Sequence, residues 1–272
     1  MRSLRDQVVL ITGASSGIGR ATAIEMARLG ARVVAASRNS AALLELAKEI
    51  GSSGGQALAV ATDVTDPAQC QKAVESAVQK FGRLDVLICS AGISMRSDFE
   101  HSNLEAMERV VRVNFLGTVY ATFFAIPHIK KSRGSLVAIS SLTGLRGVPS
   151  YGIYGATKFA VQGLYESLRI ELGRSGVHVG TVSPGFVDTP LRDRVLGADG
   201  AVMKEPPDPP FRVWPVEKCV KRIIRLVVRR RRQALLPAFT GPLMTLDDML
   251  GRRIGDWILA WRFPPESEKS SE

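Results

Sequence analysis

Short apolar runs alternate with longer amphipathic stretches from the start of the chain to about residue 185, and this alternation restricts the fold more than any other feature. The apolar runs lie at 8–11, 33–36, 57–60, 86–88, 136–139 and 177–182, with a seventh candidate at 234–236. The stretches with helical spacing lie at 18–29, 41–50, 68–81, 104–130 and 155–173. Near-continuous apolar runs that alternate with helices predict parallel strands buried on both faces. We therefore expect a doubly wound, Rossmann-type α/β fold with about seven strands and helices on both faces.

The apolar content is sufficient for one large hydrophobic core, because 45% of the 272 residues are hydrophobic. The longest stretch without a charged residue, between Arg112 and Lys130, contains Asn114 and His128, so it predicts a buried helix and no membrane span. No signal peptide precedes the first apolar run, and three widely spaced cysteines favour neither disulfides nor a zinc site. These features predict a cytoplasmic protein without a bound metal.

A glycine-rich turn joins the first apolar run to the first helix. Glycines permit a sharp turn and a close approach of the backbone to a ligand, and a helix N-terminus presents N–H groups to a phosphate. The position of the turn in an alternating chain favours a dinucleotide site over an ordinary tight turn. The residues of the turn that we expect to contact the cofactor are Gly13, Ser15, Ser16, Gly17, Ile18 and Gly19.

The second strand ends at Ser37 and Arg38, where NAD-binding proteins of this architecture place an acidic residue. A guanidinium pairs with phosphate instead, and the Ser37 hydroxyl can add a hydrogen bond. The two residues therefore predict NADP(H) in preference to NAD(H), through the 2′-phosphate of the adenosine. A solvated arginine in a turn is the alternative interpretation.

Tyr154 and Lys158 lie four residues apart in a helical stretch, so they share one face of the helix. An ammonium group beside a phenol stabilises the phenolate and lowers the pKa of the phenol, which makes the phenol usable as an acid or base. Ser141 follows the fifth apolar run, where its hydroxyl can bind a substrate oxygen. Because this spacing is common on helix surfaces, the prediction depends on the motifs that precede it.

Taken in order, these motifs give the chain a resemblance to the short-chain dehydrogenase/reductase family over about residues 5–190. Several independent motifs lie on the expected elements, and the spacing from Ser141 to Tyr154 suits the active site of that family. The resemblance rests on Thr12–Gly19, Asp63-Val64, Ala91-Gly92, Asn114, Ser141, Tyr154 with Lys158, and Pro184-Gly185 followed by Thr189. It implies an oxidoreductase that interconverts a carbonyl and a secondary or primary alcohol.

The resemblance implies a role for each residue of the proton-transfer group. Tyr154 would exchange a proton with the substrate oxygen, which Ser141 and Tyr154 would both bind. Lys158 would lower the pKa of Tyr154 and hold the nicotinamide ribose, while Asn114 would hold a water molecule in a proton relay. Hydride would pass directly between the nicotinamide and the substrate carbon, without a metal.

The resemblance also implies contacts with the rest of the cofactor. Asp63 and Val64 would contact the adenine, and the backbone near Val187 and Thr189 would contact the carboxamide. The remaining positions that would bind the cofactor are Ala91, Gly92, Tyr154, Lys158 and Pro184. One departure from the family is the sequence Cys89-Ser90, which stands where two asparagines are common and so lacks two amides that brace the sheet. No base adjoins Cys89 in the sequence, which disfavours a catalytic thiol.

The segment 189–215, called here the proline-rich loop, contains six prolines and predicts an irregular loop over the carboxyl edge of the sheet. In the family this segment closes over the substrate. Val202, Met203, Phe211 and Trp214 make it apolar, which favours a hydrophobic substrate such as a steroid, a retinoid-like or a fatty compound. An apolar lid that only excludes water is the alternative.

Apolar residues recur at helical spacing over 243–262, which predicts one amphipathic helix there and a polar tail after it. We therefore divide the chain into a catalytic domain, 1–240, which includes the proline-rich loop, and a C-terminal extension, 241–272. Three arginines and three aspartates make the helix neutral. Three interpretations stay open: peripheral contact with a membrane, packing against a partner subunit, and a roof over the substrate pocket.

Much of the net charge of +10 lies in one segment, because 212–232 holds nine basic residues and one acidic residue. An acidic protein could dock there, so a 3-oxoacyl-carrier-protein reductase is the runner-up function, although the C-terminal extension argues against it. No nucleic-acid-reading motif accompanies the basic segment. A non-catalytic nucleotide sensor or scaffold is disfavoured by the complete proton-transfer group. The resemblance implies a homodimer or homotetramer through the helices at 104–130 and 150–173.

Overall fold

Seven parallel strands form a single sheet in the computed structural model, which describes residues 3–206 and 208–263. The strands are β1 (Val8–Thr12), β2 (Arg32–Ser37), β3 (Gln56–Ala61), β4 (Val86–Cys89), β5 (Ser135–Ile139), β6 (His178–Pro184) and β7 (Gln233–Leu236). Their order is β3-β2-β1-β4-β5-β6-β7, and every neighbouring pair is parallel. The strand order reverses its direction at β1 and β4, which opens a crevice at the carboxyl ends of these strands.

Helices cover both faces of the sheet. They are α1 (Gly17–Arg28), α2 (Ser40–Ser52), α3 (Pro67–Phe81), α4 (Leu104–Val111), α5 (Gly117–Ser132), α6 (Gly152–Glu171), α7 (Val216–Arg229), α8 (Thr240–Met249) and α9 (Arg253–Arg262). Met26 of α1 and Ile223 of α7 lie in the core on one face, whereas Ile129 of α5 and Tyr165 of α6 lie in the core on the other. The doubly wound fold predicted from the alternation is confirmed.

The burial of one predicted strand needs correction. β3 pairs only with β2 and forms an edge of the sheet, so Gln56 and Ala61 are exposed and Leu58 is half-buried. Short apolar runs do not show which strand will lie at an edge, because the topology of the whole sheet determines which strands pair with each other. The prediction that the strands are buried on both faces is therefore wrong for β3, and β7 at the other edge is likewise only partly buried.

The helix predicted over 104–130 is divided by a π-helical turn, Arg112–Leu116, which contains Asn114. Together, Leu104–Ser132 are long and apolar enough to cross a membrane by length and composition. In this fold, however, α5 packs against α3 and the sheet, and Ala121 and Ala125 lie in the core. The segment is a helix of the layer that covers the sheet, as expected from its polar residues.

The single C-terminal helix predicted over 243–262 is wrong, because the chain forms two short helices there, α8 and α9. Gly251 and Arg252 both have a positive φ, 67° and 62°, and a left-handed residue ends a helix. The chain turns at this point, so that α9 packs against α8. A polar tail was predicted after residue 262, and most of it lies outside the described residues.

Candidate active site

A cavity of about 1210 Å³ opens at the carboxyl edge of the sheet. It extends from the β1–α1 turn to the space beneath α8 and α9. Every residue that the sequence analysis assigns to the cofactor lines this cavity, as does Ser141, whereas Asn114 does not. Ligands of open α/β sheets bind at this place, where the direction of winding changes.

The β1–α1 turn has a backbone that requires its glycines. Gly13 has a φ of 68°, and a Cβ there would lie 2.7 Å from backbone atoms of Ala91. A Cβ at Gly19 would overlap the carbonyl group of Gly13. Ser16 precedes α1, but its side chain accepts no hydrogen bond from the helix. The first N–H groups of α1 are therefore left for a ligand at the cavity wall, where a phosphate is favoured.

The end of β2 leaves a buried hydroxyl without a partner. Ser37 is 8% exposed, and its Oγ makes no hydrogen bond. Arg38 is exposed at the cavity and forms no ion pair with the residues that the structure describes. Asn39, in contrast, is engaged in the fold, because its Oδ1 accepts a hydrogen bond of 3.0 Å from Ala42 N at the start of α2. An unsatisfied buried hydroxyl costs free energy that a polar ligand can recover.

Asp63 and Val64, after β3, are held by their neighbours. Asp63 Oδ1 accepts hydrogen bonds of 2.9 and 2.8 Å from the amide and hydroxyl of Thr65. Val64 packs so closely on α5 that a Cβ at Gly117 would lie 2.7 Å from it. These contacts fix one wall of the cavity beside the end of β2.

The structure brings Tyr154, Ser141 and Lys158 together at the carboxyl end of β5. Tyr154 is half-buried, and its hydroxyl lies beside the side chain of Ser141, which stabilises the phenolate form. Ser141 Oγ also accepts a bond of 3.2 Å from Thr143 N. Lys158 lies one helical turn further along α6, with its Nζ 5.6 Å from the centroid of the Tyr154 ring, and it donates to the carbonyl of Ile139 at 3.0 Å.

The predicted lowering of the phenol pKa does not occur in this structure. Burial raises the pKa of Tyr154 to about 12, and the hydrogen bond from Ser141 offsets only part of this effect. Burial also lowers the pKa of Lys158 to about 8. Loss of water around the phenolate therefore outweighs its stabilisation by Ser141. At neutral pH Tyr154 is a proton donor and Lys158 carries a positive charge.

Asn114 lies behind the cavity and braces the loop after β4. Its Oδ1 accepts a hydrogen bond of 2.8 Å from Ile93 N, and its Nδ2 donates to Ile93 O and Thr157 Oγ1 at 2.9 and 3.2 Å. A Cβ at Gly92 would lie 3.3 Å from Asn114 Oδ1 and 3.6 Å from Lys158 Nζ. Both amide donors are thus engaged, and only a second lone pair of Oδ1 is left to hold a water molecule.

The cavity floor near Cys89 is braced without the two asparagines. Cys89 is buried, and its Sγ lies 3.8 Å from Thr122 Oγ1. Burial raises the pKa of this thiol to about 11, so it is protonated at neutral pH and is a poor nucleophile. The hydroxyl of Thr12 accepts bonds of 3.2 and 3.3 Å from the amides of Ser90 and Ala91. These hydroxyl contacts tie the loop after β4 to β1.

The proline-rich loop forms the outer wall, but only part of its apolar surface reaches the cavity. Phe211 and Trp214 line it, and Trp214 pairs with Val187 after β6. Val202 and Met203 do not line it, and Val202 is 51% exposed. The prediction that all four residues form the lid is therefore wrong for these two.

Helices α8 and α9 roof the cavity, which was one of the three interpretations of this segment. Arg146, in the loop after β5, connects the roof to the body of the protein. Its Nε lies 3.3 Å from Asp247 Oδ2, and its Nη2 lies 2.6 Å from Asp256 Oδ1. Sequence analysis missed Arg146, because partners more than 100 residues away leave no local signal. The apolar residues of the roof that line the cavity include Leu243, Leu246, Leu250, Ile254 and Ile258.

Residues 7–198 match the family model described as short chain dehydrogenase. The chain belongs to the short-chain dehydrogenase family. Over 249 residues this short-chain dehydrogenase is 36% identical to 11-beta-hydroxysteroid dehydrogenase 1A of Arabidopsis thaliana. The matched region covers 87% of the chain and 70% of the relative. Over 184 residues it is 42% identical to 11-beta-hydroxysteroid dehydrogenase-like 4A of the same plant. That match covers 67% of the chain and 61% of the relative.

A solved structure has the same fold. A short-chain dehydrogenase/reductase from Burkholderia phymatum, in complex with NAD, superimposes with a TM-score of 0.81 at 26% identity, covering 92% of this chain and 97% of that one. Together with the relatives, it places this short-chain dehydrogenase among the oxidoreductases that act on CH–OH groups with NAD(P).

The residues of the cavity fit a nicotinamide dinucleotide. The unpartnered Ser37 hydroxyl, the close approach required at Gly13 and the uncapped N-terminus of α1 are all features that a bound dinucleotide would satisfy. In the described part of the chain, no cluster of three His, Cys, Asp or Glu side chains could hold a metal ion.

Proposed function

We propose that this short-chain dehydrogenase is an NADP(H)-dependent enzyme that interconverts a hydrophobic ketone or aldehyde and its secondary or primary alcohol. The observation that carries the proposal is the Tyr154 hydroxyl, which lies beside the Ser141 side chain inside the cavity that begins at the glycine turn. A proton donor beside a dinucleotide site is the arrangement that carbonyl reduction needs. The catalytic domain is proposed as residues 1–240.

In the proposed mechanism, Tyr154 and Ser141 bind the substrate oxygen. A developing alkoxide is stabilised by nearby donors, and these two hydroxyls supply them. Tyr154 gives its proton to this oxygen during reduction and accepts it during oxidation. A bound nicotinamide supplies or takes up the hydride at the substrate carbon.

Lys158 and Asn114 support this proton transfer. Below its pKa of about 8, Lys158 is positively charged and favours the phenolate that remains after Tyr154 has given its proton. We propose that Lys158 also holds the nicotinamide ribose. Asn114 keeps the loop at Ile93 beside Lys158 and ends the proposed proton relay through its free Oδ1 lone pair.

The proposed preference for NADP(H) rests on the end of β2. Arg38 offers a guanidinium to a 2′-phosphate, and Ser37 offers an unused hydroxyl. β2 ends without the acidic side chain that would bind the hydroxyls of an NAD ribose. We assign the adenine to the wall at Asp63 and Val64, and the carboxamide to the backbone near Val187 and Thr189.

The proposed substrate is apolar and bulky. Aromatic side chains of the proline-rich loop and aliphatic side chains of the roof line the substrate end of the cavity. Two relatives are named as an 11-beta-hydroxysteroid dehydrogenase and a protein like it, which agrees with a substrate of about this bulk.

A panel of carbonyl compounds of increasing apolar size, followed by the absorbance of NADPH, tests the proposed function. We expect kcat/KM to rise with apolar bulk and to be higher with NADPH than with NADH. Preference for a thioester on an acidic carrier protein would instead indicate a carrier-protein reductase. Cofactor binding without turnover of any compound would indicate a nucleotide-binding protein without catalysis.

We propose that the chain forms a homodimer or homotetramer through the outer faces of α5 and α6. Phe123 on α5 is 67% exposed and Phe159 on α6 is 40% exposed, and exposed apolar patches mark interfaces. Phe123→Glu is expected to convert the oligomer to a monomer, because a carboxylate would be buried without a partner. Light scattering after size exclusion measures the mass. Leu44→Glu, an equally exposed change on α2, serves as the control, and an unchanged mass for Phe123→Glu would refute the interface.

We also propose a cytoplasmic location with peripheral membrane contact through the outer face of α8 and α9. Met249, Trp257 and Trp261 are 79%, 71% and 67% exposed and do not line the cavity. Aromatic side chains on such a face favour the lipid headgroup region. The double change of Trp257 and Trp261 to Ser is expected to lower sedimentation with anionic vesicles about tenfold, while Leu44→Ser leaves it unchanged. A wild-type protein that stays in the supernatant would contradict this proposal.

A further inference from the structure

Arg96 is a buried arginine in the wall of the active-site cavity. It lies in the loop after β4, is 5% exposed and lines the cavity beside Tyr151. Its guanidinium carbon lies 5.9 Å from the centroid of the Tyr151 ring, and that centroid lies 6.3 Å from the centroid of the Tyr154 ring. One aromatic side chain therefore separates the guanidinium from the proton-transferring phenol.

This guanidinium has no counterion among the described residues. Its Nε is buried without a hydrogen-bond partner, and it forms no ion pair with the residues that the structure describes. Arginine stays charged in proteins, so burying it without an anion is costly. The position is set by the backbone, because Arg96 N donates to Leu196 O at 2.9 Å and Ser97 N donates to Ser150 O at 2.8 Å. The described part of the fold thus holds a cation at the cavity without supplying an anion.

The other cationic side chains of the cavity differ from Arg96. Arg146 is paired with two aspartates of the roof. Arg38, Arg194 and Arg212 are exposed, so water solvates them, and Arg192 is half-buried and partly solvated. Lys158 belongs to the proton-transfer group and donates to a carbonyl. Of the arginines whose side chains are described, Arg96 is the one that is buried.

We propose that Arg96 binds an oxyanion at the end of the substrate remote from the reacting carbonyl: a carboxylate, or a sulfate or phosphate ester. The planar guanidinium presents two parallel N–H donors to such a group. Together with the apolar lining, it selects an amphipathic substrate with an apolar body and one acidic end. This inference rests on the proposed function, because it names a substrate class for the same cavity.

The inference is tested with pairs of ketones that share one apolar skeleton and end in a carboxylate or its methyl ester, with sulfate and phosphate ends as further arms. For the wild type, we expect kcat/KM to be about tenfold to a hundredfold higher for the best acid than for the ester. Arg96→Met should remove this preference by raising KM for the acid, with kcat and the KM for the ester unchanged. Arg96→Lys should keep part of it, because it keeps the charge but loses the second parallel donor.

Arg194→Met is the matched control, because it removes the same charge from an exposed position of the same cavity. We expect Arg194→Met to leave the ratio of kcat/KM for the acid to kcat/KM for the ester unchanged. This control separates direct binding by Arg96 from a general attraction of anions to the cavity. Equal kcat/KM for acid and ester in the wild type would overturn the inference, as would an equal loss for both in Arg96→Met. If Arg96→Met does not fold, as judged by its Tm, Arg96→Lys carries the comparison.

Binding without turnover separates this inference from the proposed function. Calorimetric titration compares a saturated acid of the same skeleton, which cannot be reduced, with its methyl ester. The oxyanion site is supported if the wild type binds the acid more tightly than the ester and Arg96→Lys weakens binding of the acid. This result would hold even if no ketone is reduced. Equal binding of the acid and the ester would refute the oxyanion site. Reduction of neutral ketones would still support the proposed function in that case.

Discussion

Tyr154→Phe is expected to lower kcat about a thousandfold, while the dissociation constant for NADPH changes less than about threefold. The substitution removes only the hydroxyl that lies beside Ser141 and keeps the ring in place. Substrate oxygen then loses its proton donor and one of two hydrogen bonds to the developing alkoxide. Steady-state kinetics measure kcat, and fluorescence titration measures cofactor binding.

Tyr151→Phe is the matched control for this substitution. Tyr151 also lines the cavity, and its ring centroid lies 6.3 Å from that of Tyr154, so the same oxygen is removed from an adjacent ring. We expect this variant to keep kcat within about tenfold of the wild type, because a neighbouring hydroxyl is not the proton donor. A Tyr154→Phe enzyme that keeps more than a tenth of the wild-type kcat would refute the proposed role.

Local sequence patterns are sufficient for the elements that depend on neighbouring residues. The β1–α1 turn needs glycine at positions 13 and 19 because of its own backbone, and the spacing of Tyr154 and Lys158 places both on one face of α6. The strands follow from short apolar runs, since most of these runs are buried by the helices next to them in the sequence. For this reason the fold class and the positions of most candidate residues could be predicted.

Features that depend on distant parts of the chain could not be predicted in this way. Arg146 meets its partners in α8 and α9 only after the sheet is complete, and the burial of Arg96 depends on the backbone of two other loops. The effect of burial on the pKa of Tyr154 is also a property of the assembled cavity. Only the break at Gly251 had a local signal, a glycine at the end of a helical pattern.

Arg38→Asp is expected to reverse the preference between the two cofactors. In the wild type we expect kcat/KM to be at least about tenfold higher with NADPH than with NADH, because a guanidinium pairs with the 2′-phosphate. In the variant, kcat/KM with NADPH should fall about a hundredfold or more, since the ion pair is replaced by repulsion between two negative groups. The value with NADH should hold or rise, because a carboxylate accepts hydrogen bonds from the ribose hydroxyls.

Two smaller substitutions separate the charge from the shape of this site. Arg38→Lys keeps the charge but not the two parallel donors, so we expect it to keep a reduced preference for NADPH. Ser37→Ala removes the buried hydroxyl that has no protein partner, so it should weaken NADPH binding without lowering the Tm. If Arg38→Asp changes the ratio of kcat/KM with NADPH to kcat/KM with NADH by less than about threefold, Arg38 is a solvated arginine in a turn.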